Sequence, residues 1–133
     1  MNRNANIGIL ILRLSIGVLM LMHGIAKIKN GTGYIESSFD KAGLPAALAY
    51  TVYITEVLAP LMLIVGFRTR IAALLVAGTM LVVMVFVMPA KLTQTIETGA
   101  WALELQGLFM FGSIALFFLG GGRYALSTRS KWD

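Results

Sequence analysis

Residues 7–26 read IGILILRLSIGVLMLMHGIA, twenty residues with one charged side chain, Arg13, in the interior of the run. An α-helix needs about twenty predominantly apolar residues to cross the hydrocarbon core of a bilayer. A charged side chain at that depth costs several kcal/mol unless it is paired or hydrated. The stretch therefore predicts a membrane helix, and it marks Arg13 as a candidate functional or packing residue.

Three more apolar stretches follow, at 46–65, 71–88 and 101–119, with Glu56 inside the second stretch of the chain and Glu104 inside the fourth. Only residues 66–70 separate the second stretch from the third, and so short a connection predicts an antiparallel hairpin. We expect an all-α fold in which residues 1–133 form a single transmembrane domain. Its architecture is an integral membrane four-helix bundle with antiparallel, up-down helices. Residues 34–42 predict a short amphipathic helix at the membrane surface.

The composition supports a membrane protein and excludes several kinds of site. Of the 133 residues 58% are hydrophobic and 13% are charged, and the apolar residues form long runs that a soluble helix would interrupt with a polar face at every turn. Without cysteine, the chain cannot hold a thiolate nucleophile or a cysteine-ligated zinc or iron–sulfur centre. With one histidine it cannot form a histidine-rich metal site. We expect no metal site and no covalently bound cofactor.

The basic residues predict how the chain is oriented. One side of the predicted membrane carries six of the eleven: Arg3, Arg68, Arg70, Arg123, Arg129 and Lys131. The other side carries four: Lys27, Lys29, Lys41 and Lys91. Because cytoplasmic loops carry the excess of Lys and Arg, both termini are predicted to be cytoplasmic. The basic residues behind the formal net charge of +5 are thus expected to interact with the anionic headgroups of the lipid bilayer. No nucleic-acid partner is expected.

One face of the first helix collects its polar and small residues. At 100° per residue, Arg13, Gly17, Met20, Gly24 and Lys27 fall within about 40° of one line. Small residues allow helix backbones to approach each other in a membrane. This stripe is therefore predicted to face the other helices.

A deep polar pair is the first candidate site. Arg13 and Glu56 lie at depths that differ by about 4–5 Å when residues are counted from the predicted cytoplasmic ends of their helices. We expect these two side chains to form a buried polar pair. The pair either contributes to function or only fixes the register of the two helices.

A polar cluster at the opposite rim is the second candidate site. His23 and Lys27 are predicted to share a level with Glu104, and together these three residues are the candidate ligand-binding site. A histidine beside a carboxylate can transfer a proton near neutral pH, and with Lys27 it can donate hydrogen bonds to a quinone carbonyl oxygen. Lys27 could instead be a snorkelling anchor, and His23 a hydrogen-bonded structural residue at the rim. Gln106 lies about 160° around the fourth helix from Glu104 and is expected to bond a neighbouring helix.

The order of several motifs resembles the DoxX family of small four-helix membrane proteins. The match runs through nearly the whole chain: LRLSIGVLMLMHGIAKI at 12–28, AGLP at 42–45, TEVLAPLMLIVGFRTRIAALL at 55–75, Glu104, and GGGRYALS at 120–127. The sequence departs from the family at its end. Ala125 and Ser127 stand where the family often has a Ser and an Asp, so a role for that terminal acid is not carried over.

The resemblance implies a single four-helix bundle in the bacterial inner membrane. It also implies a link to redox chemistry, since some relatives are subunits of quinone-reducing enzymes and others associate with redox or detoxification proteins. The leading hypothesis is a multi-pass, redox-linked membrane subunit that binds a quinone or another amphiphile within the bundle. Electrons would come from a redox partner protein, because the sequence offers no redox centre of its own, and a homo-oligomer is a further expectation. The alternatives are a non-catalytic membrane scaffold that docks a partner and a small transporter.

Overall fold

The structure is a computed structural model in which residues 3–133 are described, and five helices account for most of that range. They are α1 (Arg3–Asn30), α2 (Gly33–Lys41), α3 (Ala46–Val65), α4 (Thr69–Val87) and α5 (Glu104–Leu119). Within residues 3–133 there is no β-strand, only an isolated bridge between Thr95 and Trp101. The predicted all-α class is confirmed, and α2 occupies the place of the predicted surface helix.

Three of the helices, α1, α3 and α4, are long and apolar enough to cross a membrane, by length and composition. The fourth apolar helix, α5, has 16 residues and so extends about 24 Å, less than the roughly 30 Å of a bilayer core. The bounds of α3 match the predicted stretch, whereas α1 is longer at both ends. The additional turns of α1 carry polar side chains such as Asn and Lys. These residues can be helical, but they lie outside the apolar stretch from which the helix was predicted.

Helix α3 changes its winding along its length. Residues Ala46–Tyr50 form a 3₁₀ turn and Ile54–Leu58 a wider π turn, before α-helical geometry continues through Ala59–Val65. Pro60 has no N–H for the carbonyl four residues earlier, which is that of Glu56, and its ring crowds that carbonyl. A π turn directly before the proline gives the carbonyl room. A proline inside a membrane helix is expected to kink it, whereas the helix here accommodates Pro60 with a widened turn that carries Glu56.

Two glycines set the register between α1 and α3. A β-carbon on Gly17 would come within 2.8 Å of Ile64 Cγ1 and 3.1 Å of the Pro60 carbonyl oxygen, and one on Gly24 would overlap the carbonyl oxygen of Glu56. Residue numbers therefore run in opposite directions along this contact. The glycine stripe is a close-packing face, as predicted.

The main core lies between α1, α3, α4 and α5. Its buried members are Ile9, Ile16, Met20, Ala59, Leu63, Ala72, Ala73, Val76, Met80, Phe109 and Leu116. A smaller cluster holds α2 against the start of α3 and the end of α4, through Ile35, Phe39, Ala49, Val52 and Val87.

The segment after α5, residues 120–133, folds over the α3–α4 connection. The N–H groups of Leu126 and Ser127 donate to the carbonyls of Val65 and Gly66, each at 3.1 Å, and the carbonyl of Trp132 accepts from the Arg70 N–H. Carbonyls at the C-terminal end of a helix have no partner within the helix. This tail therefore satisfies two carbonyls at the end of α3.

Candidate functional site

Arg13 and Glu56 are both buried, with 1% of each residue exposed, but they do not pair. Arg13 Nη1 donates to the carbonyl of Gly121 at 2.7 Å and Nη2 donates to the carbonyl of Tyr124 at 3.1 Å. Both acceptors belong to the tail that follows α5. The predicted Arg13–Glu56 pair is therefore replaced by an arginine held by backbone carbonyls.

The register between the helices explains this correction. Glu56 lies level with Gly24, and Arg13 lies about 16 Å from Gly24 along the axis of α1. Arg13 lies instead beside the end of α3, where a β-carbon on Gly66 would come within 2.5 Å of its Nη1. Counting from the ends of apolar stretches placed the two side chains at one depth because it ignored where the glycines bring the helices together.

Glu56 is bound by Lys27. Lys27 Nζ donates to both carboxylate oxygens of Glu56 and forms an ion pair with that carboxylate. The Glu56 side chain is 1% exposed and the Lys27 side chain 25% exposed. A buried carboxylate is costly unless it is paired, so Lys27 stabilises Glu56 at the widened turn of α3.

A cavity of about 240 Å³ lies beside this ion pair. Its polar lining consists of His23, Lys27, Glu56 and Gln106, contributed by α1, α3 and α5. The remaining lining is apolar: Met20, Met80, Val83, Met88, Leu105 and Phe109. We call this space the rim cavity. It brings together two of the three residues predicted for the ligand site and adds Glu56.

His23 lies on the edge of the rim cavity against an aromatic ring. Its imidazole contacts Phe109 edge to face, with the ring centroids 5.9 Å apart and the planes at 88°. Among residues 3–133 no hydrogen-bond partner is found for the imidazole, so its nitrogens are free to bond a ligand.

The structure places Glu104 outside this group of residues. Glu104 is exposed and does not line the rim cavity, whereas Gln106 is half-buried and does. The sequence argument separated the two side chains around α5, but it placed Glu104 in the ligand site and expected Gln106 only to bond a neighbouring helix. Burial of Gln106 depends on the packing of α5 against α1 and α4, which the sequence pattern does not fix.

The rim cavity combines hydrogen-bond donors with apolar walls. Lys27 and Gln106 can donate to an oxygen, and neutral His23 can either donate or accept. Ligand sites are usually apolar pockets with a few convergent polar groups, and their volumes run from about 300 to 1,000 Å³. The smaller volume here suits the head of an amphiphile, with an attached chain remaining outside.

Comparison with known proteins gives one family and one curated relative. Residues 8–89 match the protein family described as DoxX. A Bacillus subtilis (strain 168) protein named "Putative oxidoreductase CatD" is 33% identical over 81 residues, which are 61% of this chain and 60% of that protein. The aligned region thus covers less than two thirds of the relative's length. No solved structure matches this chain.

Proposed function

Because the chain belongs to the DoxX family of membrane proteins, we propose that it is a redox-linked membrane subunit that binds a quinone or a similar carbonyl-bearing amphiphile. The proposed binding site is the rim cavity. The resemblance stated from the sequence is confirmed at the level of the family. The relative named "Putative oxidoreductase CatD" supports a redox role, and the family match over residues 8–89 includes His23, Lys27 and Glu56.

The observation that carries the proposal is the placement of polar groups in an otherwise apolar cavity. His23, Lys27 and Gln106 come from two helices and converge on one space next to the buried carboxylate of Glu56. A quinone head offers flat apolar faces to the methionines and Phe109, and carbonyl oxygens to the donors. Its hydrocarbon tail would remain in the surrounding lipid.

The redox role is divided between this chain and a partner protein. A quinone becomes a quinol by taking up two electrons and two protons. A partner oxidoreductase would supply the electrons, while His23 and the Lys27–Glu56 pair would lie close enough to the carbonyl oxygens to supply protons. The chain is in this view a subunit of an enzyme that positions and protonates the quinone.

The proposed arrangement in the cell follows from the charges at the helix ends. We infer that α1, α3, α4 and α5 cross the bacterial inner membrane up and down as an antiparallel four-helix bundle, with both termini in the cytoplasm. The rim cavity would then open towards the periplasmic side. A homo-oligomer is compatible with this arrangement and is proposed as well.

One observation favours the scaffold alternative. Both oxygens of the Glu56 carboxylate are occupied by Lys27, as expected for a pair that only holds α1 against α3. In that case the polar residues of the rim cavity serve packing, and the chain docks a partner without binding a ligand.

Quinone titration of the purified full chain tests the proposal. A short-chain quinone is titrated into the protein in mild detergent, and binding is followed by calorimetry. His23→Leu and Gln106→Leu remove donors without breaking the Lys27–Glu56 pair, and each should weaken binding roughly tenfold, since a hydrogen bond to the quinone is lost. Glu104→Leu is the matched control, because Glu104 lies outside the cavity, and it should bind as the wild type does.

The titration distinguishes a quinone-binding subunit from a scaffold. Binding that is lost in the cavity variants and kept in the control supports a quinone site. A wild type that binds no quinone, or variants that all bind equally, would leave the rim cavity with a packing role and favour the scaffold.

A further inference from the structure

A second cavity lies at the opposite end of the helices, between α4 and the tail. It has a volume of about 440 Å³, and its lining includes Arg70, Arg123 and the glycines 120–122. Hydroxyl-bearing residues of the tail, Ser127, Thr128 and Ser130, complete one wall. We call this space the tail cavity. It shares no lining residue with the rim cavity.

The charges around the tail cavity are predominantly positive. Arg70 and Arg123 contribute two guanidinium groups, and Asp133 contributes the carboxylate. That carboxylate already has partners: Oδ2 accepts from the Ser127 hydroxyl at 2.7 Å and the Ser130 N–H at 2.6 Å, and Oδ1 lies 3.7 Å from Arg68. Within residues 3–133 Oδ1 accepts no hydrogen bond, so the charge of Asp133 is compensated in part, and by groups other than the two lining arginines.

Several donors in the tail cavity have no acceptor within residues 3–133. Arg70 Nε is buried without a hydrogen-bond partner. The backbone N–H groups of Gly121 and Gly122 are likewise without an acceptor in that range. Successive backbone N–H groups in a tight turn form a concavity that binds anions. Two guanidinium groups and two adjacent amides make a donor set suited to phosphate oxygens.

The glycines explain why the backbone can approach so closely. Gly120 and Gly122 have φ values of 75° and 70°, which residues with a β-carbon rarely adopt. A β-carbon on Gly121 would come within 2.7 Å of both Ala125 Cβ and Thr69 Oγ1. The turn therefore presents backbone amides, without side chains, to the space between Arg70 and Arg123.

We propose that the tail cavity is a phosphate-binding site. The phosphate belongs either to the headgroup of an anionic lipid or to a soluble phosphate compound, because both present the same oxygens. Leu119, at the end of the apolar helix α5, also lines the cavity and would lie next to the glycerol and acyl part of a lipid. The proposal does not depend on quinone binding at the rim cavity.

Thermal unfolding of the full chain in phosphate-free detergent tests the site. One arm adds sodium phosphate against sodium chloride at equal ionic strength. The other adds phosphatidylglycerol against a diacylglycerol with the same acyl chains and no phosphate. A ligand that binds the folded protein raises its melting temperature. Arg70→Gln and Arg123→Gln should each weaken binding roughly tenfold or more, since a charge-assisted hydrogen bond is lost.

Arg129→Gln is the matched control, because Arg129 is an exposed arginine of the same tail that does not line the cavity. Arg123 is itself exposed, so Arg123→Gln should fold. The test therefore remains informative even when Arg70→Gln fails to fold. Stabilisation by phosphatidylglycerol alone identifies a lipid headgroup, and stabilisation by inorganic phosphate as well identifies a site open to soluble phosphate. No phosphate-dependent shift in the wild type, or equal shifts in Arg123→Gln and Arg129→Gln, would overturn the proposal.

Discussion

Gly24 of α1 lies directly against the carbonyl oxygen of Glu56 in α3, with no space for a β-carbon between them. This carbonyl receives no hydrogen bond from residue 60, because proline has no N–H. It faces α1 at the turn that Pro60 disrupts. The closest approach of the two helices therefore coincides with the widened turn that carries the buried carboxylate. One residue of α3 sets both the helix contact and the polar wall of the rim cavity.

Gly24→Ala should consequently destabilise the protein, by about 1–3 kcal/mol or more, since an added methyl group must separate two backbones. Gly8→Ala is the control, because Gly8 lies in the same helix with nothing within 4 Å of an added β-carbon. That change should be neutral or should stabilise the helix by about 0.5–1 kcal/mol. Melting temperatures in detergent compare the two, and equal effects would contradict the close contact.

The Lys27–Glu56 pair should behave as a coupled unit. Lys27→Met leaves a buried carboxylate without its partner and should cost about 3–5 kcal/mol, whereas the double change with Glu56→Met should cost less than the sum of the single changes. Free energies of unfolding in mixed micelles give the coupling. Arg13→Met combined with Glu56→Met is the control cycle, and its effects should add to within about 0.5 kcal/mol. Coupling in the control cycle alone would restore the pair expected from the sequence.

The contact between the tail and the α3–α4 connection should depend on pH through Asp133. Burial raises the pKa of this carboxyl group, but hydrogen bonds from Ser127 and Ser130 and the nearby Arg68 lower it more, so the pKa lies below its ordinary value. A lowered pKa means that the unfolded segment binds the proton more readily. The stabilisation is therefore complete above the ordinary pKa of about 3.9 and is lost as the pH falls through the lower, folded value.

Hydrogen exchange of the Leu126 and Ser127 amides measures this effect, after correction for intrinsic exchange rates. Exchange should accelerate in the wild type as the pH falls below about 4. Asp133→Asn should open the tail at neutral pH and remove the dependence. If Asp133→Asn keeps the pH profile of the wild type, the pH dependence comes from a group other than Asp133.

Single cysteines can establish whether α5 crosses the membrane, since the sequence has no cysteine of its own. Thr98→Cys precedes α5 and Thr128→Cys follows it, and both positions are exposed. A membrane-impermeant thiol reagent added to intact cells should label the first variant and spare the second. Labelling of both variants from outside would mean that α5, with its 16 residues, does not cross.

The helices could be predicted because long apolar runs leave few alternatives for a backbone in lipid. The second stretch illustrates this, since the expected 46–65 is also the extent of α3. The winding inside that helix could not be predicted in the same way. A proline disturbs a helix, but whether the helix kinks or widens depends on what packs beside it, here Gly24 of α1.

The candidate site was only partly predictable because it depends on register and on rotation about a helix axis. Lys27 was expected at the rim and Glu56 in the interior, yet the two form one ion pair because Lys27 extends along α1 towards the widened turn. The sequence separated Gln106 from Glu104 around the fourth helix, but it did not show which of the two would line the rim cavity. Its place in the rim cavity follows from the packing of α5 against its neighbours.

Arg13 and its two acceptors are separated by 108 and 111 positions in the chain, and this separation constrains the order of biosynthesis. A ribosome delivers Arg13 with the first helix, and Gly121 and Tyr124 only after α5 has been made. Until then the arginine must stay hydrated or bound to lipid phosphate, because an unpaired charge is costly within a membrane. The hydrogen bonds of Arg13 can therefore form only after α5 and the residues that follow it have been made, so α1 waits for that segment before its polar face is complete.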